Sequence, residues 1–370
     1  MATNTPEVRT VRIRDAKVSI LRAMKRKRPV FVWGGPGIGK SDLIAQITDE
    51  LSGYMIDLRL ALMEPTDLRG IPYYNKEENN MSWAQPVDLP TEEFAAKYPV
   101  IVLFLDELNA APPSVQAAAY QLILNRRVGT YKLPDNVVIV AAGNRETDKG
   151  VTYKMPKPLA NRFVHLNLDV NFEDWFTWAT NNKVHADVVG YLSFAKSDLY
   201  SFDPRSSESA FASPRTWVFV SELLEDNEED MPITESQLTD LVSGTVGEGM
   251  ALKFMNHRTF ASQLPNPSDI LAGKVKDLKV TEISAQYTLT VNLCYELSEG
   301  YKDAKKSKKL DNWHKQADNF FGYMMANFQT EMVVLGAKIA LSNYSLPFET
   351  KKLKTFKEFY DRYGQLIIDA

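Results

Sequence analysis

The sequence predicts an α/β fold, a parallel sheet flanked by helices, followed by a long all-helical region. One glycine-rich loop and two apolar runs predict it. Val30-Phe31-Val32-Trp33 leads into Gly34-Gly35-Pro36-Gly37-Ile38-Gly39-Lys40-Ser41, and Leu43, Ile44, Ile47 and Leu51 then recur at helical spacing. Val100-Ile101-Val102-Leu103-Phe104-Leu105 is a second unbroken apolar run, closed by Asp106-Glu107. Runs without polar alternation belong to strands buried on both faces, as in parallel sheets.

The loop fits G-x-x-x-x-G-K-[ST], the P-loop pattern, and strand, loop and helix stand in the order it requires. Glycines let the backbone wrap a phosphate with several N–H groups turned inward. Lys40 is expected to reach the β- and γ-phosphates and Ser41 to hold Mg²⁺. The helix that follows points its positive end at the same anion. Gly53 is expected to end that helix.

The bulk composition narrows the class. The 370 residues suggest two or three structural units. A net charge of −4 gives no general sign of a nucleic-acid partner. Cys294 is the only cysteine, which rules out an internal disulfide and fits a reducing compartment. His165, His185, His257 and His314 are scattered and join no cysteine cluster, which argues against zinc. No run is long enough to span a bilayer and the start carries no signal-peptide pattern, so the expected location is cytoplasmic.

Taken in order, residues 1–12 are polar and expected to be loose, and 1–14 is read as an N-terminal arm. Val18, Ile20, Leu21 and Met24 suggest a short helix. Lys25, Arg26, Lys27 and Arg28 follow, either as a solvated helix end or as a contact for nucleotide or a neighbouring subunit. A strand covers Met55 to Leu58. Met63 to Pro72 is broken by Pro65, Gly70 and Pro72. Tyr73-Tyr74 and Met81-Ser82-Trp83-Ala84 flank the polar tip 75–80 as a hairpin. Thr91 caps a helix to Tyr98.

The acids Asp106 and Glu107 close a buried strand, and ligands gather at the carboxyl ends of such strands. Asp106 is expected beside the P-loop, placing Mg²⁺ through water, and Glu107 is expected to orient or deprotonate the attacking water. The alternative is that both cap the next helix. That helix covers Ser114 to Leu124, and Val128 to Leu133 form a hairpin turning at Gly129. Val137 to Ala142 is a third buried strand ending at Gly143-Asn144. Asn144 either contacts the γ-phosphate or makes a simple turn. Pro158 to Phe163 closes a short helix, and Val164, Leu166 and Leu168 alternate as a strand. Arg162 is placed where its charge could leave its own subunit, or it is solvated.

Beyond that strand, Asn171 to Leu199 read as helical, with Trp175, Phe176 and Trp178 as core aromatics rather than a base-stacking platform. A polar loop covers 201–213. Ser213-Pro214-Arg215 opens a helix with a cap and an N1 proline, and Arg215 could face a phosphate. Glu225 to Asp230 is an acidic linker, and Leu238 to Phe260 are helical. In the tail Ile283, Tyr287, Leu289, Leu293 and Leu297 share one face. Lys302, Lys305, Lys306, Lys308 and Lys309 make a basic connector, read as a solvated face. Phe320, Phe321, Met324, Met325 and Phe328 crowd another helix, and Phe356 to Ile367 form the last.

Together these motifs resemble an AAA+ ATPase. Gly34 to Ser41 is similar to Walker A and Leu105-Asp106-Glu107 to Walker B. Asn144 stands where the sensor 1 residue stands. Arg162, in Leu159-Ala160-Asn161-Arg162-Phe163, resembles the trans-acting arginine finger, and Ser213-Pro214-Arg215 the sensor 2 motif of a lid helix. Met63 to Gly70 with the following hairpin, Pro113-Ser114-Val115-Gln116, Asn125 to Gly129 and Leu264 to Leu271 resemble the MoxR group, near the dynein- and midasin-related ATPases and of the phage or bacterial type. The resemblance covers residues 15 to 275. It implies an α/β nucleotide-binding core over 15–170 with an insert hairpin around 60–90, a helical lid over 171–275 and a helical extension over 276–370.

It also implies ATP and Mg²⁺ as ligands and a homo-oligomeric ring, commonly a hexamer, with ATP between subunits. Members act as chaperone-like remodellers of a protein client, often beside a partner carrying a von Willebrand factor A domain. Two other readings compete: a nucleic-acid-linked motor or clamp-loader-like subunit, and a nucleotide-dependent scaffold with little turnover. The acidic balance opposes the first and an intact Glu107 the second.

Overall fold

The first part of the chain folds β1 (Thr10–Arg12), α1 (Ile13–Lys25), β2 (Val30–Trp33), α2 (Lys40–Glu50), β3 (Tyr54–Arg59), α3 (Pro65–Arg69), β4 (Ile71–Asn75), β5 (Asn80–Ala84), α4 (Glu92–Ala95), β6 (Ile101–Asp106), α5 (Pro113–Asn125), β7 (Arg127–Val128), β8 (Tyr131–Lys132), β9 (Val137–Gly143), α6 (Lys157–Ala160) and β10 (Val164–Asp169). This computed structural model describes residues 9–148, 152–225, 233–307 and 310–368. The chain divides into two compact units, Met1–Asp174 with Phe202–Ser206, and Trp175–Ser201 with Ser207–Ala370.

In the first unit six strands line up β1-β10-β2-β9-β6-β3, every neighbouring pair parallel. The two central strands with the longest apolar runs, β6 and β9, are buried along both faces apart from the half-exposed Asp106. That agrees with their lack of polar alternation. The hydrophobic core under one face gathers Phe31, Leu103, Leu105, Val115, Leu122, Ile139 and Phe163. β4 and β5 form the expected hairpin, Ile71 facing Ala84 through to Asn75 facing Asn80. The small β7–β8 hairpin turns as expected at Gly129.

Local detail departs from the sequence reading in three places. Thr10–Arg12 is a strand, paired with Asn167, Leu168 and Asp169, not a loose arm; residues 1–8 lie outside the described residues. Three residues with one apolar member carry no periodicity, so only the pairing reveals it. Helix α2 stops at Glu50 with Leu51 as its C-cap, and the left-handed residue that follows is Ser52 (φ 50°), not Gly53. In α1 the buried stripe is Ala16, Ile20, Ala23 and Met24, while Val18 is exposed.

The second unit is helical: α7 (Phe172–Asn181, which begins in the first), α8 (Ala186–Phe194), α9 (Pro214–Leu224), α10 (Glu235–Val246), α11 (Glu248–Ala261), α12 (Pro267–Leu271), α13 (Ile283–Ser307), α14 (Leu310–Asn327), α15 (Thr330–Lys338, continued by a π-turn to Asn343) and α16 (Lys354–Ile368). Its axis is α13, packed against α8, α11, α12, α14 and α15. Leu289, Leu293, Cys294 and Leu297 on it are fully buried. Trp217 of α9 is also fully buried, between Tyr191 and Phe254, and its indole donates to the Asp198 carbonyl at 2.9 Å.

One reading of this unit is refined and one corrected. Leu238 to Phe260 is helical as expected, in two helices that meet at Gly247. The lysines from 302 are no connector: Lys302, Lys305 and Lys306 ride the last turns of α13, with Lys302 and Lys306 paired to Glu299 and Asp303 one turn back. Such i,i+3 pairs support helix where the charge run suggested a break. Lys308 and Lys309, and residues 226–230 of the acidic linker, lie outside the described residues.

Candidate active site

Four chain segments meet at the carboxyl ends of β2, β9 and β6. The loop after β2 closes with Gly37 at φ 73° and Gly39 at φ 88°, left-handed conformations that a side chain would strain. Gly39 is the N-cap of α2 and offers no side-chain cap, so the first N–H groups of the helix are left for an anion. Lys40, the first residue of α2, turns its ammonium back over the loop. Nζ donates to the carbonyls of Gly34 at 2.8 Å and Gly35 at 2.9 Å, and to the Asn144 side-chain oxygen at 2.9 Å. Asn144 follows β9, the direct neighbour of β2, and register places Trp33 opposite Gly143.

Ser41 donates its hydroxyl hydrogen to Asp106 Oδ2 at 3.2 Å. The other carboxylate oxygen of Asp106 accepts the Glu107 backbone N–H at 2.9 Å. A hydroxyl beside a carboxylate is a hard-oxygen pair suited to Mg²⁺, which keeps several waters and takes few protein ligands. Among the described residues no cluster of three or more His, Cys, Asp or Glu side chains could hold a metal. Glu107 is left-handed (φ 54°) and exposed, and among the described residues its carboxylate has no partner. A tight turn holds that backbone: Leu108 N–H reaches the Ala142 carbonyl at 3.1 Å, and Ala110 N–H the Glu107 carbonyl at 2.8 Å.

Two residues that the sequence did not single out take part. Asn109 is buried and donates from Nδ2 to the Asn144 backbone carbonyl at 2.8 Å, tying the turn after β6 to the end of β9. Its polarity at a turn gave no signal; only the approach of the two strand ends shows the link. Asp57 on β3 has its pKa raised, first by burial and then by the Asp106 carboxylate, with Arg59 pulling the other way.

Gly143 is required by Asn109. A Cβ there would stand 2.0 Å from Asn109 Oδ1 and 2.9 Å from the Phe31 ring. Gly143→Ala is therefore expected to destabilise the chain by about 1–3 kcal/mol through overpacking. Urea unfolding measures this as a lowered midpoint; an unchanged midpoint would mean the strand ends are not locked as described.

Arg162 lies between α6 and β10, exposed, and among the described residues its guanidinium makes no hydrogen bond or ion pair. Val164 pairs with Val30, so Arg162 sits before the beginning of β2, whereas the P-loop follows its end. Arg215 belongs to the second unit. It is exposed in the first turn of α9, behind the expected Ser213 cap and Pro214 at N1.

The family match lies in the first unit. Residues 29–165 match the family described as "ATPase family associated with various cellular activities (AAA)". Midasin of Giardia intestinalis is 30% identical over 181 residues, 47% of this chain and 4% of that protein. Among solved structures, a point mutant of RuvB from Thermotoga maritima aligns at 17% identity and TM-score 0.37, over 67% of this chain and 74% of RuvB. NtrX of Brucella abortus aligns at 13% identity and TM-score 0.39, over 83% and 69%. The family match spans β2 to the start of β10 and takes in Lys40, Ser41, Asp106 and Glu107, so residues 29–165 are similar to the ATPase domain of that family.

Proposed function

We propose that the chain hydrolyses ATP in a pocket completed by an adjoining copy, and that the cycle remodels or assembles a protein client. The observation that carries this reading is the position of Arg162. Four residues of β2 separate its level from the P-loop, about 13 Å at strand rise. An exposed arginine at that edge is far from its own phosphate site and free to enter another's.

In this reading Lys40 and the loop amides grip the β- and γ-phosphates, and Ser41 and Asp106 hold Mg²⁺, Asp106 through water. Glu107 activates the attacking water, Asn144 aligns it, and a neighbour's Arg162 neutralises charge in the transition state. Arg215 senses the phosphate from a lid over 171–275, with 276–370 as an extension. The assembly is a ring, a hexamer by resemblance to the MoxR group, working in the cytoplasm with a client or a partner bearing a von Willebrand factor A domain. The insert hairpin offers a contact for such a client: Ile71, Tyr73, Tyr74 and Met81 are exposed there, between 49% and 63%.

Arg162→Ala tests the shared pocket. It is expected to keep ATP affinity and lose turnover by about 10³-fold, the scale of an arginine finger. Mixing it with Glu107→Gln chains is expected to restore part of the activity, because each variant supplies what the other lacks. No recovery at any mixing ratio would contradict the reading. The Glu107→Gln chain, loaded with ATP, also serves as a trap that names the client by pull-down.

A further inference from the structure

One side chain spans the sheet level between Arg162 and the P-loop. His165 lies on β10 opposite Phe31, and its ring makes two hydrogen bonds in opposite directions. Trp33 donates its indole N–H to His165 Nδ1 at 2.8 Å. The other ring nitrogen, Nε2, lies 2.7 Å from the Ala160 carbonyl. An indole can only donate and a carbonyl can only accept. The partners therefore fix the neutral tautomer with its hydrogen on Nε2.

What each bond holds matters more than its strength. Trp33 is the last residue of β2 and is followed by Gly34, whose carbonyl Lys40 engages. Ala160 ends α6, and its carbonyl also accepts the Phe163 N–H at 3.1 Å; the Arg162 N–H reaches the Leu159 carbonyl at 3.0 Å. Arg162 thus stands inside a turn closed at Ala160, and the imidazole joins that turn to the root of the P-loop. Aromatic packing fixes the ring: Trp33 stacks on Phe31 at 4.1 Å, and His165 lies 6.0 Å from Trp33, 5.9 Å from Phe31 and 6.2 Å from Phe163.

We propose that His165 is a positioning residue, a bridge from Trp33 to Ala160 that sets the Arg162 turn relative to the P-loop of its own chain and so governs how that arginine enters the neighbouring pocket. The proposal rests on the trans action of Arg162 argued above. His165 itself is exposed, and two such hydrogen bonds contribute only modestly to folding. The effect expected of them is on geometry, where a displacement of about 1 Å costs about 10²-fold in rate.

The test is His165→Phe, which keeps a ring against Phe31 and Phe163 and removes both hydrogen bonds. Trp33→Phe, which removes only the indole donor, is the second variant should the first fold poorly. Each is expected to lower kcat by 10-fold or more with KM for ATP unchanged within about twofold, and mixing with Glu107→Gln chains is expected to recover activity, since those chains supply an undisturbed finger. Arg162→Ala mixed in the same way is the control. If Arg162→Ala is rescued and the bridge variants are not, or if they keep wild-type kcat, the bridge is overturned while the shared pocket stands. If Arg162→Ala is not rescued, the shared pocket falls and the bridge with it.

Discussion

Lys40→Ala abolishes nucleotide binding at millimolar ATP. The ammonium is already gathered by three oxygens, the carbonyls of Gly34 and Gly35 and the side chain of Asn144. That ammonium is the charge the phosphate-loop pattern aims at the β- and γ-phosphates. A hydrogen bond to a charged group contributes about 1.5–3 kcal/mol, and two of them about 3–6 kcal/mol, or roughly 10²- to 10⁴-fold in affinity. Alanine also releases Asn144 from the loop, which loosens the site before any ligand arrives. Titration calorimetry with ATP and Mg²⁺ measures the loss, and circular dichroism checks that the sheet is intact. Unchanged affinity would remove the phosphate loop from the account.

Glu107→Gln separates binding from chemistry. The substitution keeps the shape of the side chain and removes its charge. Glu107 is exposed, and among the described residues its carboxylate touches no partner, so folding is expected to be unaffected. Its left-handed backbone comes from the turn held by Leu108 and Ala110, not from the carboxylate, so glutamine keeps the same geometry. General-base assistance is commonly worth 10²- to 10⁴-fold, and a drop in kcat of that size with ATP affinity retained is expected from steady-state assays. A wild-type rate no higher than that of the variant would favour the scaffold reading over the enzyme.

What the sequence revealed and what it hid follow from how each feature is encoded. β2, β6 and β9 were legible because burial on both faces removes polar residues from the run. The residues at their ends, Lys40, Ser41, Asp106 and Asn144, were legible because the strand end itself marks where ligand chemistry gathers, and the structure joins Lys40 to Asn144 and Ser41 to Asp106. The link from Asn109 to Asn144 spans thirty-five positions and leaves no local trace. His165 was visible only as one of four scattered histidines, because its partners Trp33 and Ala160 become neighbours through parallel pairing of β2 and β10.

Pairing order also explains why Arg162 stands apart from its own phosphate loop. The motif that contains it precedes β10, and β10 runs parallel to β2, so the finger and the loop lie at opposite ends of the same two strands. Under the proposed function, this placement is why the pocket needs an adjoining copy.

The most direct measurement is the ATP turnover per chain as a function of protein concentration, with particle mass followed by light scattering in the same ATP and Mg²⁺ buffer. The account predicts turnover that rises steeply with the assembled fraction and vanishes as the chain dilutes to monomer. Full turnover by a chain that remains monomeric throughout would contradict it.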